Sequence, residues 1–226
     1  MKKRENHYLQ TGVIMIVLFM IWTIMIQTID VRIAGETQTK LGFATLNVWF
    51  HNLTRVHLSI YHITDWLELV PVCICFMFGM IGFAQLMKRK SICKVDSDII
   101  LLGIYFVIVI GGYLIFEMIP INYRPILING IAEASYPSST TLMVLSVMPT
   151  LSFQGNRRLN NKSLKLFIHV LTAGFSAFMV IGRMISGVHW ITDIIGSVLF
   201  SLGLFYMYLG VVDLTDQLRR NKDGIS

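Results

Sequence analysis

The chain has 226 residues, of which 54% are hydrophobic and only 14% are charged, and its formal net charge is +6. An ordinary soluble domain has about 25% charged residues. A chain with so few charges cannot cover its own surface with polar side chains. This excludes an ordinary soluble domain and indicates that lipid solvates part of the protein.

Six apolar runs follow one another along the chain, and a membrane-spanning helix needs about 20 such residues. We therefore predict an all-α membrane protein with about six transmembrane helices, forming one domain over residues 1–226. The fourth run is the shortest. The predicted spans cover residues 11–29, 66–87, 99–120, 139–153, 166–185 and 191–212.

Basic residues lie mostly at one end of these spans. They precede span one as Lys2, Lys3 and Arg4, and they follow spans two, four and six. The few basic residues at the other end are Arg32, Lys40, Arg55, Arg124 and Arg183. Because positive residues concentrate on the cytoplasmic side of membrane proteins, we predict a cell-membrane protein with both termini in the cytoplasm. The basic excess reflects topology and excludes nucleic acid as a partner.

The longest segment between spans, residues 30–65, lies on the predicted outer side. Its apolar residues recur at spacings of three and four, and they are Phe43, Leu46, Phe50, Leu53, Val56, Ile60 and Ile63. This pattern predicts an amphipathic helix, which we expect along the outer membrane interface. The next outer segment, residues 120–138, contains three prolines and is predicted to be a loop.

Polar residues at the outer ends of the later spans form a candidate site. They are Arg124 in the outer loop, Ser138 at the start of span four, Arg183 at the end of span five, and His189 and Asp193 at the start of span six. Guanidinium groups and free helix N-termini bind phosphate. His189 and Asp193 share one helical face, so the carboxylate can hold one imidazole nitrogen while the other attacks phosphorus. Each residue alone could be a cap or an ordinary hydrogen-bonding group, but their joint placement favours a functional site.

Three stretches, residues 123–125, 137–140 and 183–193, resemble the three signatures of the type 2 phosphatidic acid phosphatases. That superfamily also includes the vanadium haloperoxidases, and its pattern is Lys-x6-Arg-Pro, Pro-Ser-Gly-His and Ser-Arg-x5-His-x3-Asp. The third signature matches here in every spacing, with Gly182 in place of Ser. The resemblance runs from span three onward and implies a phosphatase-like core at about residues 66–213.

The resemblance implies a role for each residue of the candidate site. His189 would be the nucleophile that forms a phosphohistidine, and Asp193 would orient it. The residues that would bind the substrate phosphate are Arg124, Ser138, Ser139 and Arg183. The substrate would be a lipid phosphate in the membrane, and neither a metal nor a cofactor is implied.

Two of the signatures are altered. Glu117 stands where the family has Lys, and Thr140 stands where it has the His that protonates the leaving alcohol, with Ser139 replacing Gly. Loss of a general acid costs about 10²–10⁴ in rate. We therefore expect a good leaving group, as in a polyprenyl diphosphate, or a substitute acid. The candidate acids are Glu117, if it is buried, and His51, His57 and His62.

The leading hypothesis is an integral membrane phosphatase that acts on a lipid phosphate or diphosphate at the outer face. One alternative is a catalytically silent homologue that binds lipid phosphates. Another is a transferase that passes the phospho group to a second lipid. Trapping of a phosphohistidine separates an enzyme from a binder, and dependence of phosphate release on an acceptor separates a transferase from a hydrolase.

The distribution of basic residues predicts the outcome of a topology experiment. Reporters fused after Ser226 or inserted near Asn160 should report the cytoplasm, and a reporter near Thr37 should report the outside. The reason is the concentration of Lys and Arg at one end of the spans. A C-terminal reporter that reads outside would contradict the predicted position of the site.

Overall fold

The structure, a computed structural model, describes residues 6–222 and is mainly helical. The predicted basic cluster of Lys2, Lys3 and Arg4 and the reporter position at Ser226 lie outside this range. The elements in chain order are α1 (His7–Thr28), β1 (Arg32–Ala34), β2 (Thr39–Leu41), α2 (Ala44–Thr54), α3 (Leu58–Leu67), α4 (Leu69–Arg89), a 3₁₀ turn (Ile92–Lys94), α5 (Ser97–Met118), α6 (Ser139–Arg158), α7 (Lys162–Ile185) and α8 (Ile191–Lys222).

Five stretches of the described chain are helical, long and apolar enough to cross a membrane. They are α1, the near-continuous α3 and α4, α5, α7, and α8. These stretches correspond to five of the six predicted spans, and the prediction of a helical, multi-pass membrane protein is confirmed.

The fourth predicted span is α6, a helix of 20 residues that is less apolar than the other five. At 1.5 Å per residue it is about 30 Å long, which matches the thickness of the hydrocarbon layer. It packs against α4, α5, α7 and α8, so its neighbours shield it from lipid. Its buried polar groups form hydrogen bonds inside the bundle: Gln154 donates to the Tyr208 hydroxyl at 2.7 Å, and Tyr105 donates to the Ser146 carbonyl at 2.9 Å.

Helices α1 and α8 approach each other closely because glycines lie at their contact. A Cβ atom added at Gly12 would come within 2.7 Å of the Met207 backbone nitrogen, and one at Gly203 within 2.7 Å of the Ile16 side chain. Small residues at a helix contact allow the backbones to approach and increase van der Waals packing in a membrane. The N-terminal helix is thereby held against the helix whose first turn forms part of the candidate site.

The amphipathic segment at residues 43–63 is not one helix, as the sequence predicted, but the two helices α2 and α3. The chain breaks between them at Arg55, whose φ is +59°. Its backbone packs against Gly187, where an added Cβ would lie 2.1 Å from the Arg55 carbonyl oxygen, and the His57 N–H donates to the Ser186 carbonyl at 2.9 Å. This tertiary contact supports the loop that leads to His189, and it interrupts a helix that local periodicity favours.

The proline-containing loop between α5 and α6 folds back on itself as an irregular hairpin. Tyr123 pairs with Ala134, and the backbone N–H of Arg124 donates to the Glu133 carbonyl at 3.1 Å. The Ser135 N–H donates to the Asn122 carbonyl at 2.9 Å. These backbone bonds fix Arg124 and Ser135, and both contribute to the candidate site.

The contact between α1 and α8 predicts that a glycine substitution at the contact destabilises the protein, whereas one away from it does not. Gly12→Ala should lower the free energy of unfolding by about 1–3 kcal/mol, because the methyl group meets the α8 backbone. Gly79→Ala is the control, because nothing lies within 4 Å of its added Cβ, and it should be neutral or stabilise the helix by up to about 1 kcal/mol. Thermal unfolding in detergent measures both variants, and equal midpoints would contradict the close contact.

Candidate active site

The candidate site lies at the end of the bundle where α6 and α8 begin and α7 ends. A cavity of about 240 Å³ opens there between the α5–α6 loop, the start of α6 and the turn before α8. The charged and polar residues that line it are Tyr113, Glu117, Arg124, Glu133, Tyr136, Ser139 and His189. Three of these residues, Arg124, Ser139 and His189, were predicted from the sequence as phosphate ligands or nucleophile.

His189 is 4% exposed and lies in the turn between α7 and α8. Its Nδ1 atom is 3.1 Å from the Ser135 carbonyl oxygen. Because a carbonyl oxygen only accepts, Nδ1 must donate, so in the neutral ring Nε2 is the unprotonated nitrogen. Nε2 is buried and has no hydrogen-bond partner among the described residues. The ring is therefore fixed in the tautomer whose free lone pair a nucleophile requires.

Asp193 does not hold the imidazole through the direct hydrogen bond that the sequence suggested. Its Oδ2 atom lies 3.8 Å from His189 Nδ1, which is too long for a hydrogen bond. Its two oxygens accept instead from the Trp190 backbone N–H and from the Asn122 side-chain amide, both at 3.0 Å. Asp193 therefore fixes the first turn of α8 and the α5–α6 loop, and it acts on His189 through its charge.

The sequence did not identify Ser135 or Asn122 as part of the site. Ser135 contributes a backbone carbonyl, which every residue type has, so its side chain gave no signal. Asn122 lies two residues before Arg124, and its proximity to the first signature was the only indication in the sequence.

Arg183 is 1% exposed and is held on one side of its guanidinium group. Its Nη2 atom lies 2.9 Å from Asp65 Oδ1 and 3.7 Å from Glu68 Oε2, and it also donates to the Thr140 hydroxyl. Its Nε and Nη1 atoms are buried without a partner among the described residues. Leaving buried donors unpaired costs free energy. A bound anion would satisfy these two donors of Arg183.

Arg124 lies close to Arg183, and the two guanidinium groups share the Tyr61 ring. The ring centroid is 4.9 Å from the Arg183 guanidinium carbon and 5.7 Å from that of Arg124. Arg124 Nε lies 3.1 Å from Glu133 Oε2, which is an ion-pair distance without hydrogen-bond geometry. Both Nε and Nη1 of Arg124 are buried without a hydrogen-bond partner in the described chain. The structure thus brings together both predicted arginines, and each has a free donor.

Thr140, at the position of the family histidine, is fully buried and links Arg183 to an acidic residue that the sequence did not identify. Its hydroxyl donates to Glu68 Oε2 at 2.6 Å and accepts from Arg183. Glu68 lies at the junction of α3 and α4, far from the signatures in sequence. Its place at the end of an apolar span was the only signal that could have identified it.

The two serines at the start of α6 have different positions. Ser138 is the N-cap: its hydroxyl donates to Thr141 Oγ1 at 3.1 Å and accepts from the Thr141 N–H at 3.5 Å. Ser138 is fully buried and does not line the cavity, whereas Ser139 is one of the residues that line it. Phosphate binding by these serines remains a prediction, and Ser139 is the better placed of the two.

The candidate substitute acids are not placed as expected. Glu117 lines the cavity, but its side chain is exposed, so the burial on which that role depended is not found. His51 packs against Trp190 with ring centroids 5.5 Å apart, and neither it nor His57 nor His62 lines the cavity.

Burial lowers the pKa of His189 to about 4, because the charged ring would lose its hydration. The positive charges of Arg124 and Arg183 act in the same direction, whereas Asp193 opposes them. At neutral pH the imidazole is therefore uncharged, and Nε2 carries its lone pair.

A comparison with solved structures agrees with this fold. The chain is similar to a transmembrane PAP2-type phosphatidylglycerolphosphate phosphatase from Bacillus subtilis, whose crystal structure matches with a TM-score of 0.56 and 18% identity over 90% of this chain and 96% of that chain. At this identity the likeness supports the fold alone. No curated protein sequence matches the chain.

The helical bundle is the fold of a membrane phosphatase, and it brings His189, Arg124 and Arg183 to one end. The family model of the PAP2 superfamily matches residues 100–215, which is more than half of the chain. The chain therefore belongs to the PAP2 superfamily, and the family prediction made from the three signatures is confirmed.

The lowered pKa of His189 predicts its protonation state in solution. An ordinary histidine has a pKa near 6.5, whereas His189 should stay neutral as the pH falls through 6 and titrate at about 4. The measurement is ¹⁵N NMR of histidine-labelled protein, with the resonance assigned by its loss in His189→Gln. A midpoint at or above 6.5 would contradict the buried, neutral nucleophile.

Proposed function

We propose that the protein is a membrane phosphatase that cleaves a lipid phosphate or diphosphate through a phosphohistidine at His189. The observation that carries this proposal is the buried and unpaired Nε2 atom of His189, a residue that lines the same cavity as Arg124. A buried nucleophile without a partner is costly in a purely structural site. An incoming phosphate supplies the missing interaction.

The attack step follows from the arrangement of His189 and the arginines. Nε2 attacks phosphorus, and the bond from phosphorus to the leaving oxygen breaks with its electron pair on that oxygen. The free N–H groups of Arg124 and Arg183 stabilise the charge on the other phosphate oxygens. Nδ1 keeps its proton on the Ser135 carbonyl, and Asp193 at 3.8 Å stabilises the charge on the ring. Water then attacks phosphorus, the P–N bond breaks and phosphate is released.

The leaving-group side requires a second feature, because the Thr140 hydroxyl donates to Glu68 and does not titrate near neutral pH. Two substrate types meet this requirement. A polyprenyl diphosphate loses a phosphate anion, which needs little protonation. Alternatively, an ester can bring its own proton donor in the leaving group.

The distribution of basic residues supports a site on the outer face of the cell membrane. Arg157 and Arg158 end α6, and Lys88 and Arg89 end α4, whereas the cavity lies at the start of α6. Basic residues favour the cytoplasmic side. This distribution supports the proposal that the cavity opens at the opposite face.

One observation favours a second candidate function, a lipid-phosphate binder without turnover. Arg183 already contacts Asp65, and Thr140 occupies the place of the family acid. A site that has lost its acid but keeps two arginines could bind phosphate and retain it.

Single-turnover labelling tests the proposal with two matched variants. Purified protein with a ³²P-labelled lipid phosphate should form an acid-labile label and release phosphate. Removal of the nucleophile in His189→Ala should abolish the label and lower turnover by more than about 10³-fold. His62→Ala, an exposed histidine that does not line the cavity, should behave as the wild type.

The other outcomes of this experiment also decide between the candidates. Turnover by His189→Ala equal to that of the wild type would exclude the covalent mechanism. Lipid binding by the wild type without label or release would favour the silent binder. A label that is discharged only when a second lipid is added would favour a transferase.

A further inference from the structure

A second cavity, a groove of about 350 Å³, lies between α6, α7 and α8, away from the candidate active site. Ser152 and Asn156 of α6 line it, together with His169 and Ala173 of α7 and Phe205 of α8. The groove shares no lining residue with the cavity of the candidate active site. It lies in the half of the bundle where α6 ends and α7 begins, and the proposed chemistry does not use it.

The groove opens toward lipid. Its lining residues His169 and Ala173 are exposed, and so are the apolar residues beside them on α7, Phe167, Val170 and Leu171. Helix α7 is one of the stretches long and apolar enough to cross a membrane. Exposed apolar side chains on such a helix contact acyl chains, so a ligand reaches the groove from the bilayer.

One end of the groove carries polar groups at membrane depth. His169 lies about 10 Å along α7 from its first residue, and its Nδ1 atom is 3.1 Å from Ser152 Oγ. Nε2 is the ring nitrogen left for a ligand. Asn156 is exposed at the same end. An ionisable residue that faces lipid costs free energy and indicates a function, and a polar group of a bound ligand would offset that cost.

The rest of the groove is mainly apolar. Leu145, Pro149, Ala173 and Phe205 line it beyond the polar end. From Asn156 to Leu145 the groove follows α6 for about 16 Å, at 1.5 Å per residue. A polar end joined to an apolar channel of this length is suited to an amphiphile, with its headgroup at Asn156 and a chain along Leu145.

Positive charge lies just beyond the polar end. Lys165 precedes His169 by one helical turn, and its Nζ atom donates to the Asn156 carbonyl at 2.8 Å, which leaves two further donors. Lys162 is exposed at the start of α7. Residues 134–192, which include all of α6 and α7, contain no Asp or Glu. The aspartates of neighbouring helices pair with the two arginines that end α6, so the two lysines form no ion pair with any described residue.

We propose that an anionic phospholipid, from the leaflet at the basic end of the bundle, binds in this groove. Its phosphate lies between Lys165 and His169 Nε2, and one acyl chain follows the apolar channel over Ala173 and Phe205. Basic pockets between membrane helices bind anionic headgroups in this way. A neutral lipid would fill the channel but leave the lysine charge unmatched, and a soluble anion would leave the channel empty.

Lipid titration followed by native mass spectrometry tests the preference for charge. The protein in detergent should bind phosphatidylglycerol about tenfold more tightly than phosphatidylcholine with the same chains, because each lysine near an anionic headgroup contributes about fivefold. Equal affinities would overturn the proposal and show that the groove holds bulk membrane lipid only. Displacement of phosphatidylglycerol by inorganic phosphate would overturn the assignment to a lipid. The measurement needs no turnover, so its result is independent of the proposed function.

Two variants test the position of the phosphate. Lys165→Met and His169→Leu should each lower the affinity for phosphatidylglycerol about fivefold and leave that for phosphatidylcholine unchanged. Lys88→Met is the control, because it removes the same charge from the last turn of α4, a helix that does not line the groove. A preference for phosphatidylglycerol that survives in both variants, or is lost equally in the control, would overturn the assigned position.

A third variant tests the position of the acyl chain. Ala173→Trp should fill the channel and abolish retention of phosphatidylglycerol. Ala177→Trp is the matched control, because Ala177 is exposed on the next turn of α7 and does not line the groove. Retention by both variants, or loss in both, would overturn the assignment of the chain. If Ala173→Trp does not fold, the lysine and histidine variants decide the proposal.

Discussion

The hydrogen bond from His189 Nδ1 to the Ser135 carbonyl, at 3.1 Å, is the interaction on which the candidate site depends. It joins the α5–α6 loop to the start of α8 and fixes which imidazole nitrogen is free. Asn122 and Asp193 reinforce the same junction with a hydrogen bond of 3.0 Å. This junction, together with the hydrogen bond from Trp190 Nε1 to the Tyr123 carbonyl at 2.8 Å, fixes the position of the first signature relative to the third.

The charges around this junction distinguish the chain from its family pattern. Each arginine has a carboxylate on one side and an unpaired donor on the other. Desolvation makes the unpaired donors costly, and an anionic ligand would satisfy them.

The sequence predicted the helical class, the five apolar spans and the family because these depend on local patterns: long apolar runs and fixed spacings within one stretch of chain. It also predicted a helix at α6, the fourth predicted span, but the shielding of that helix by its neighbours leaves no local pattern in the sequence. It failed at residues 43–63, where contact of Arg55 with Gly187 breaks a helix that periodicity favours. Glu68 and Ser135 were missed because neither belongs to a signature.

The amino-acid sequence by itself determined which groups could perform phosphoryl chemistry, namely His189, the two arginines and the first turn of α6. Only the tertiary structure decided how they are used. Backbone carbonyls and distant carboxylates leave no local pattern, because their effect arises from distance in space and not from spacing along the chain. For this reason only the packing of the α5–α6 loop, α3 and α8 around one buried site revealed three features. They are the tautomer of His189, the role of Asp193 and the carboxylates around the cavity.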